Sequence, residues 1–391
     1  KDTLFKDGDV TLESTAGSVA ATGMTVTNGR DVNVTAKTDA TLTGATVTAA
    51  NLTAAADGAL SAQDLSATLT GTLEATGGTV DVSYTEDTTA TGLKAASTTV
   101  TAAETLTAKD TLFKDGDVTL ESTAGSIAAS GMSITNGGEV SVTAKTEAVL
   151  NEAALNAANL TAEAGEALAA NGARIETRDS AAAIDPQTGF NRTSDNTRAS
   201  LTLSVTGEDG TVSLDGATLN SAGGVHVKGP AVSVAGTEAG AGSGGIRIET
   251  TRDDLDVTSL TSDGISLSGT YVELVSAGEL NASGQQIHAD ASMLMTAAGD
   301  VNATDAALDF GHSAGRASLD VNAAGSASLA GTKLSGEVGD VTLEAGDALN
   351  VSGVFRKPAG SGETAAPLMS SLTLEAGTSV DMGEDAVEIH T

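Results

Sequence analysis

Apolar residues recur along this chain at every second position in short runs, separated by small polar residues and glycine. Val10/Leu12, Met24/Val26, Val32/Val34, Leu42 and Val47 carry the pattern in the first fifty residues. Alternation with a period of two predicts strands with one buried face, and Thr, Val and Ile suit that state. Gly, Asn and Asp punctuate the runs, as in Thr27-Asn28-Gly29, and supply turn conformations. No stretch shows a long, capped period of 3.6. The Ala-rich segment 153–170 has the composition of a helix, but its counterpart 45–62 is Thr-rich and in register with it. Both are read as strands.

The runs themselves repeat. Residues 1–60 align without gaps to 109–168, an offset of 108, with 43 of the 60 positions identical and KDTLFKDGDVTLESTAGS unchanged. Val19, Val26 and Val47 become Ile127, Ile134 and Leu155, the small changes that inward positions tolerate. A shorter period lies inside: Val10, Val32, Leu52, Leu73 and Leu93 are 20 to 22 residues apart, and Asp300-Val301, Asp320-Val321 and Asp340-Val341 recur at 20. A unit of that size cannot bury its own apolar face, and stacking on its neighbours solves the problem. The expected fold is all-β, a right-handed parallel β-helix (β-solenoid) of about 20–22 residues per turn, handed by the preference of parallel crossovers. About 16–18 turns at ~4.8 Å each would make a rod of roughly 75–90 Å. The expected organisation is solenoid over 1–172, an insertion or hairpin loop over 173–210, and solenoid over 211–391 with a loop at 355–371.

The segments GDVTLESTAGSV, NGRDVNVTAK and AANLTAAADGALSA resemble the haemagglutinin repeats of filamentous haemagglutinin and its relatives. These are large exoproteins of two-partner secretion and of contact-dependent inhibition systems. The resemblance is clear over 1–172 and looser over 211–352. It implies a right-handed β-helix filament, a secreted or bacterial cell-surface location and an outer-membrane transporter as partner of the parent protein. It carries over no catalytic residue.

Composition sharpens this picture. Aromatics are 2 %, Trp is absent and there are 46 Gly, so a thin core of stacked aliphatic side chains fits better than a broad globular one. With 40 % hydrophobic residues, disorder is a poor reading. Four Pro rarely interrupt a ladder, and the absence of Cys removes disulfides and thiolate zinc sites. The net charge of −33 opposes nucleic acid and anionic membranes and keeps rods apart. It also leaves weak divalent-cation binding to the acidic surface open, with no cofactor expected. No run of 18 apolar residues suggests a membrane span. The chain opens Lys1-Asp2-Thr3 without a signal peptide, so it is expected to be a piece of a longer polypeptide whose open ends can stack end to end.

Three segments break the pattern. Residues 176–200 contain the turn Asp185-Pro186-Gln187-Thr188-Gly189. With Arg178, Phe190, Arg192 and Arg198 they form a tolerated surface loop or a contact loop, since Arg and aromatic side chains anchor interfaces. Phe355-Arg356-Lys357-Pro358 through Pro367 reads the same way, with Phe355, Arg356 and Lys357 as contact candidates. Gly240 to Gly245 reads as a flexible bend or long turn, and Ile246-Arg247-Ile248-Glu249-Thr250 echoes Arg174-Ile175-Glu176-Thr177, suggesting equivalent positions.

Chemistry is sparse. His226, His288, His312 and His390 are far apart and read as solvated surface residues, His226 facing out of its strand. Asp253, Asp254 and Asp256 form the one tight acidic cluster and read as a turn. Asp9, Asp31, Asp300, Asp320 and Asp340 at unit starts would stack into an acidic ladder unless they are offset or bridged by cations. Thr25-Val26-Thr27 and Thr46-Val47-Thr48 raise ice binding only weakly, because Thr is a good outward strand residue in any case. No enzyme is expected. The leading function is a rigid structural shaft projecting a distal binding or toxin module. The alternatives are an adhesive segment acting through its loops and, more remotely, a carbohydrate-active β-helix enzyme.

Overall fold

In a computed structural model the chain coils as an all-β parallel β-solenoid of about 15 turns, with roughly 21 residues per turn. The described residues are 3–85, 91–179, 200–242, 244–258, 267–311, 317–336, 339–355 and 369–384, and none of them is helical. Two compact units divide the chain. One holds 1–178 and 203–207, the other 179–202 and 208–391.

In the first unit a typical turn has a corner and three strands. Leu42-Thr43-Gly44-Ala45 makes the corner, where the Ala45 N–H donates to the Leu42 carbonyl at 3.0 Å. Thr46–Ala49, Asn51–Ala56 and Ala59–Ser61 follow as strands, and each pairs in parallel with its copies on neighbouring turns. The third corner residue has positive φ, +65° at Gly44. A Cβ there would meet nothing within 4 Å, so backbone conformation rather than space selects glycine. Asp64, Asp110, Glu152 and Asp305 adopt the same conformation at φ of 54–58°. A non-glycine pays roughly 1–2 kcal/mol for it.

The core is made of columns. Val10, Val32, Leu52 and Leu73 stack directly, and Val118, Val140 and Leu160 continue the same column in the second repeat. Beside them run Leu12, Val34, Ala54, Ala75, Val100, Leu120, Val142 and Ala162. The opposite wall carries Leu60, Val80, Leu106, Ile127, Ala148 and Leu168. Small residues facing large ones fill the narrow interior, with Phe113 as a buried aromatic exception. A slip of one residue would turn all of these outward, which is why alternation sets the register. The Ala-rich stretch is strand, Ala154–Ala164. Ile134 and Leu155, the substituted partners of Val26 and Val47, are buried as their sequence pattern implied.

Two spacings did not mean what they suggested. Leu93 is not the fifth member of the first column: Leu73 pairs with Thr98, while Leu93 pairs with Ala67 and Phe113. That turn is longer, so counting twenty residues lands on a different strand. The long repeat still equals five turns, from Val10 to Val118. Likewise Val301, Val321 and Val341 share no column. Val301 pairs with Ala327, Val321 with Leu343, and Val341 with Leu319 and Leu372. Longer turns of this kind explain why about 15 are formed rather than 16–18.

The acidic residues do not form a ladder. Asp39, Asn51, Asp117, Asp254 and Asp300 each accept, through Oδ1, a backbone N–H from the next turn at 2.7–2.9 Å. Glycine sits under the carboxylate or amide: a Cβ at Gly58, Gly71, Gly138, Gly278 or Gly325 would lie 2.1–2.6 Å from that oxygen. An acidic or amide side chain on one turn therefore covers glycine on the next, although like charges still meet in register at Glu344 and Glu375.

In the second unit Met293, Leu319, Val341 and Leu372 form one column, with Met295, Val321, Leu343 and Leu374 beside it. A six-stranded ladder lines another wall, Leu255–Asp256 through Ser379–Asp381. Its outward members Asp256, Asn302, Asn350 and Asp381 accept the N–H two residues on at 2.9–3.1 Å, and these bonds set each corner in motion. In the Gly240 to Gly245 stretch the strand Glu238–Ala241 ends and the strand Gly245–Thr250 begins. A Cβ at Gly242 would lie 2.5 Å from the Ala222 carbonyl oxygen, and one at Gly244 would lie 2.7 Å from the Gly224 nitrogen. Glycine is there because one turn's backbone lies against the next.

Candidate functional surface

The candidate contact residues separate. Phe190, Arg192, Arg198, Arg356 and Lys357 lie outside the described residues. Arg178 is placed against its own solenoid. Its Nη2 donates to the Gly137 carbonyl at 2.6 Å and its Nε to the Ala157 carbonyl at 3.3 Å, so the guanidinium staples two earlier turns. Phe355 is a correction: it is 2 % exposed and belongs to the core. The corner at 351–354, closed by the Val354 N–H to the Val351 carbonyl at 3.1 Å, returns the chain so that this ring points inward. It is not available as an exposed anchor. The echo between 174–177 and 246–250 is also corrected. Arg174–Thr177 is the strand after a corner, paired with 154–157, whereas Gly245–Thr250 pairs with Val225–Gly229, the second strand of its turn.

The strongest grouping of charge was not anticipated. On Val225–Gly229, Gly245–Thr250 and Leu267–Ser276 the inward positions are apolar, while the outward positions bring His226, Lys228, Arg247, Glu249 and Glu273 together. Register does the work: Lys228 lies opposite Glu249, and Arg247 opposite both His226 and Glu273. Arg247 reaches Glu249 at 3.0 Å and Glu273 at 3.3 Å, and Lys228 reaches Glu249 at 3.2 Å. Although these side chains face away from the core, those of Arg247, Glu249 and Glu273 are only 12 %, 14 % and 5 % exposed. Burial works against ionisation of Glu249, but His226, Arg247 and Lys228 outweigh it and hold the carboxyl down to about 2. His226 is thus not a solvated surface residue. It faces out of its strand, but its Nε2 is buried, has no hydrogen-bond partner among the described residues and approaches Glu249 at 3.8 Å.

His288 is a second correction. Its Nδ1 lies 2.8 Å from Asp309 and its Nε2 3.1 Å from Asp290. Burial disfavours its charge, but the two carboxylates prevail and raise it above its ordinary value. His312 and His390 lie outside the described residues. Of the acidic triplet, Asp253 and Asp254 precede the strand Leu255–Asp256, which holds Asp256; Asp254 accepts the Glu279 N–H at 2.7 Å and Asp256 the Thr258 N–H at 2.9 Å. These carboxylates point to separate backbone partners and do not converge. Among the described residues no group of three or more His, Asp or Glu could hold a metal ion, and no helix is long and apolar enough to cross a membrane.

The outward side chains bind turn to turn, by carboxylates and amides on backbone N–H groups and by ion pairs such as Arg30–Asp9, Lys94–Asp115 and Arg247–Glu273. The class that fold and surface define is a repeat-built parallel β-solenoid. No protein-family model, curated protein or solved structure matches the chain.

Proposed function

We propose that the chain is a structural shaft: a stiff spacer segment of a large bacterial surface exoprotein of the filamentous-haemagglutinin type, carried out through an outer-membrane transporter and holding a distal binding or toxin module away from the cell. The observation that carries the reading is the interchangeability of its turns. The first three turns of one repeat recur with the same columns in the next, and outward side chains such as Asp39, Asn51 and Asp117 are spent on the neighbouring turn. A shaft needs turns that stack and a length that can change in whole turns; it needs no convergent group of reactive side chains. The haemagglutinin-repeat resemblance supports the surface location and secretion route.

The test removes one block of five turns, residues 10–117, so that Asp9 joins Val118 in register. A shaft keeps its β-type circular dichroism per residue and its cooperative unfolding, and shortens by about 24 Å in electron micrographs, at ~4.8 Å per turn. Collapse of the fold, or loss of binding to a cell or matrix ligand while the fold is kept, would count against a pure spacer and favour an adhesive segment.

A further inference from the structure

One wall of the second unit carries a column of polar side chains directly ahead of its corners. Register places Asp256, Asn281, Asn302, Ser328, Asn350 and Asp381 in that column, one per turn. Its three asparagines each open the pattern Asn-x-Ser/Thr: Asn281-Ala282-Ser283, Asn302-Ala303-Thr304 and Asn350-Val351-Ser352. Asparagine in that pattern is an acceptor of N-linked sugar when it lies at the surface. In the first unit the corresponding places ahead of the corners hold Thr41, Ser61, Asp81 and Thr107.

The three asparagines share a geometry. Each Oδ1 accepts the backbone N–H of its own hydroxyl residue, at 3.4 Å from Ser283, 3.1 Å from Thr304 and 3.0 Å from Ser352. Ser283 also donates its hydroxyl to Asn281 Oδ1 at 2.9 Å. The bend brings the hydroxyl residue back against the carboxamide. Among the described residues none accepts a hydrogen bond from the three Nδ2 groups. Asn302 is exposed, and Asn281 and Asn350 are half-buried. Corner geometry alone does not call for asparagine, because Asp256 and Asp381 accept the N–H two residues on at 2.9 Å in the same column. What asparagine adds is a nitrogen that can take a substituent.

Three further sites of the same pattern lie among the described residues and are placed differently. Asn51 and Asn159 spend Nδ2 on Asp31 at 2.8 Å and on Glu139 at 2.7 Å. Asn33 lies within the strand Thr25–Ala36, between Thr11 and Thr53 of the neighbouring turns. Its sequence, Asp31-Val32-Asn33-Val34-Thr35, differs from Asp300-Val301-Asn302-Ala303-Thr304 at one position only. Placement in the fold therefore separates these two sites.

We propose that Asn281, Asn302 and Asn350 are glycosylation sites that set a row of N-linked sugars on one wall of the second unit. In the transfer, Nδ2 attacks C1 of a hexose activated as a diphosphate ester. The C1–N bond forms, the C1–O bond breaks, the diphosphate leaves with the electron pair, and a proton passes from Nδ2 to a base of the transferring enzyme. Asn281 and Asn302 sit on adjacent turns, about 4.8 Å apart, and Ser328 separates Asn302 from Asn350. The proposal holds for a shaft and for an adhesive segment alike.

The experiment incubates the folded full chain with a soluble asparagine glucosyltransferase and a nucleoside-diphosphate glucose, and maps the product by peptide mass spectrometry. A second arm uses a lipid-diphosphate oligosaccharide and a transferase selected for an acid two residues ahead of the asparagine. Glu279 and Asp300 stand there for Asn281 and Asn302, and Ala348 for Asn350. Sugar is expected on all three asparagines in the first arm, or on Asn281 and Asn302 in the second, with Asn33, Asn51 and Asn159 bare; the arm that labels names the donor. Asn302→Asp is expected to keep the melting temperature, as Asp256 keeps its corner, and to lose the sugar at 302 alone. Thr304→Val should lose the same sugar. No transfer in either arm overturns the proposal. So does transfer to Asn33, Asn51 and Asn159 as fast as to the wall, or sugar retained at 302 in Thr304→Val. An Asn302→Asp chain that melts early would assign the asparagine to the corner instead. None of these outcomes bears on whether a five-turn deletion shortens the molecule, so this proposal and the shaft reading fail separately.

Discussion

The two units solve the same problem with different side chains. In the first, ion pairs sit in solvent: Arg30 with Asp9 at 2.9 Å and Lys94 with Asp115 at 3.0 Å, with side chains 42–75 % exposed. Cohesion there comes from regular aliphatic columns. In the second, one outward face carries Arg247, Glu249 and Glu273 in contact and nearly out of solvent. The contrast shows that a solenoid's outer face is not automatically its wet face. An exposed pair gains little because water and salt screen it, whereas a buried one is costly to break because the abandoned charge has nowhere to go.

The largest effect should come from the buried network. Arg247→Leu leaves Glu249 and Glu273 without their shared cation and is expected to destabilise the second unit by about 3–5 kcal/mol, read as a lowered denaturation midpoint and faster exchange at 245–250. Arg30→Ala should leave the midpoint where it was. Equal effects would erase the distinction between the units.

Next in size are core truncations that compare the two copies. Leu120→Ala should cost about 2–5 kcal/mol by lost burial and a cavity. Leu12→Ala, at the same place in the repeat but half-buried, should cost clearly less in the same denaturant series. If the two cost the same, the first turn is as well packed as the sixth.

The pH dependences are smaller. Glu249 has a folded value near 2, below its ordinary 4.5. The unfolded chain therefore binds its proton first as pH falls, and the stabilisation is full above 4.5 and lost on descending toward 2. Glu249→Gln should flatten the midpoint-against-pH curve in that window. His288 is shifted the other way, raised above 6.5. Its contribution is full below 6.5 and lost as pH rises through the folded value, so wild type should lose stability there while His288→Gln does not. An unchanged slope in either variant would show that the group is not the one titrating.

Much of the first unit was legible because local and tertiary patterns coincide. Val10, Val32, Leu52 and Leu73 stack on their own kind, so alternation along the chain already describes packing between turns. The glycine and Asp corners, such as Gly44 and Asp64, were legible for a similar reason: positive φ restricts residue choice locally. Leu93 and the Asp-Val series at 300, 320 and 340 misled because a fixed count cannot see a longer turn. Arg247 and Glu273 could not be linked from spacing, since 26 residues separate them and only pairing makes them neighbours. The visible trace was weak: charges of both signs alternating with apolar residues in VHVK, IRIE and YVEL.

Alternation, period and repeat thus determined by themselves that this chain is a parallel solenoid and which residues line most of its interior, because a strand's two faces are written in consecutive residues. Tertiary structure alone decided which turn is long, which outward charges meet and lose water, and that Phe355 points inward. Those outcomes depend on what the neighbouring turn places against each residue, and that neighbour lies some twenty or more positions away.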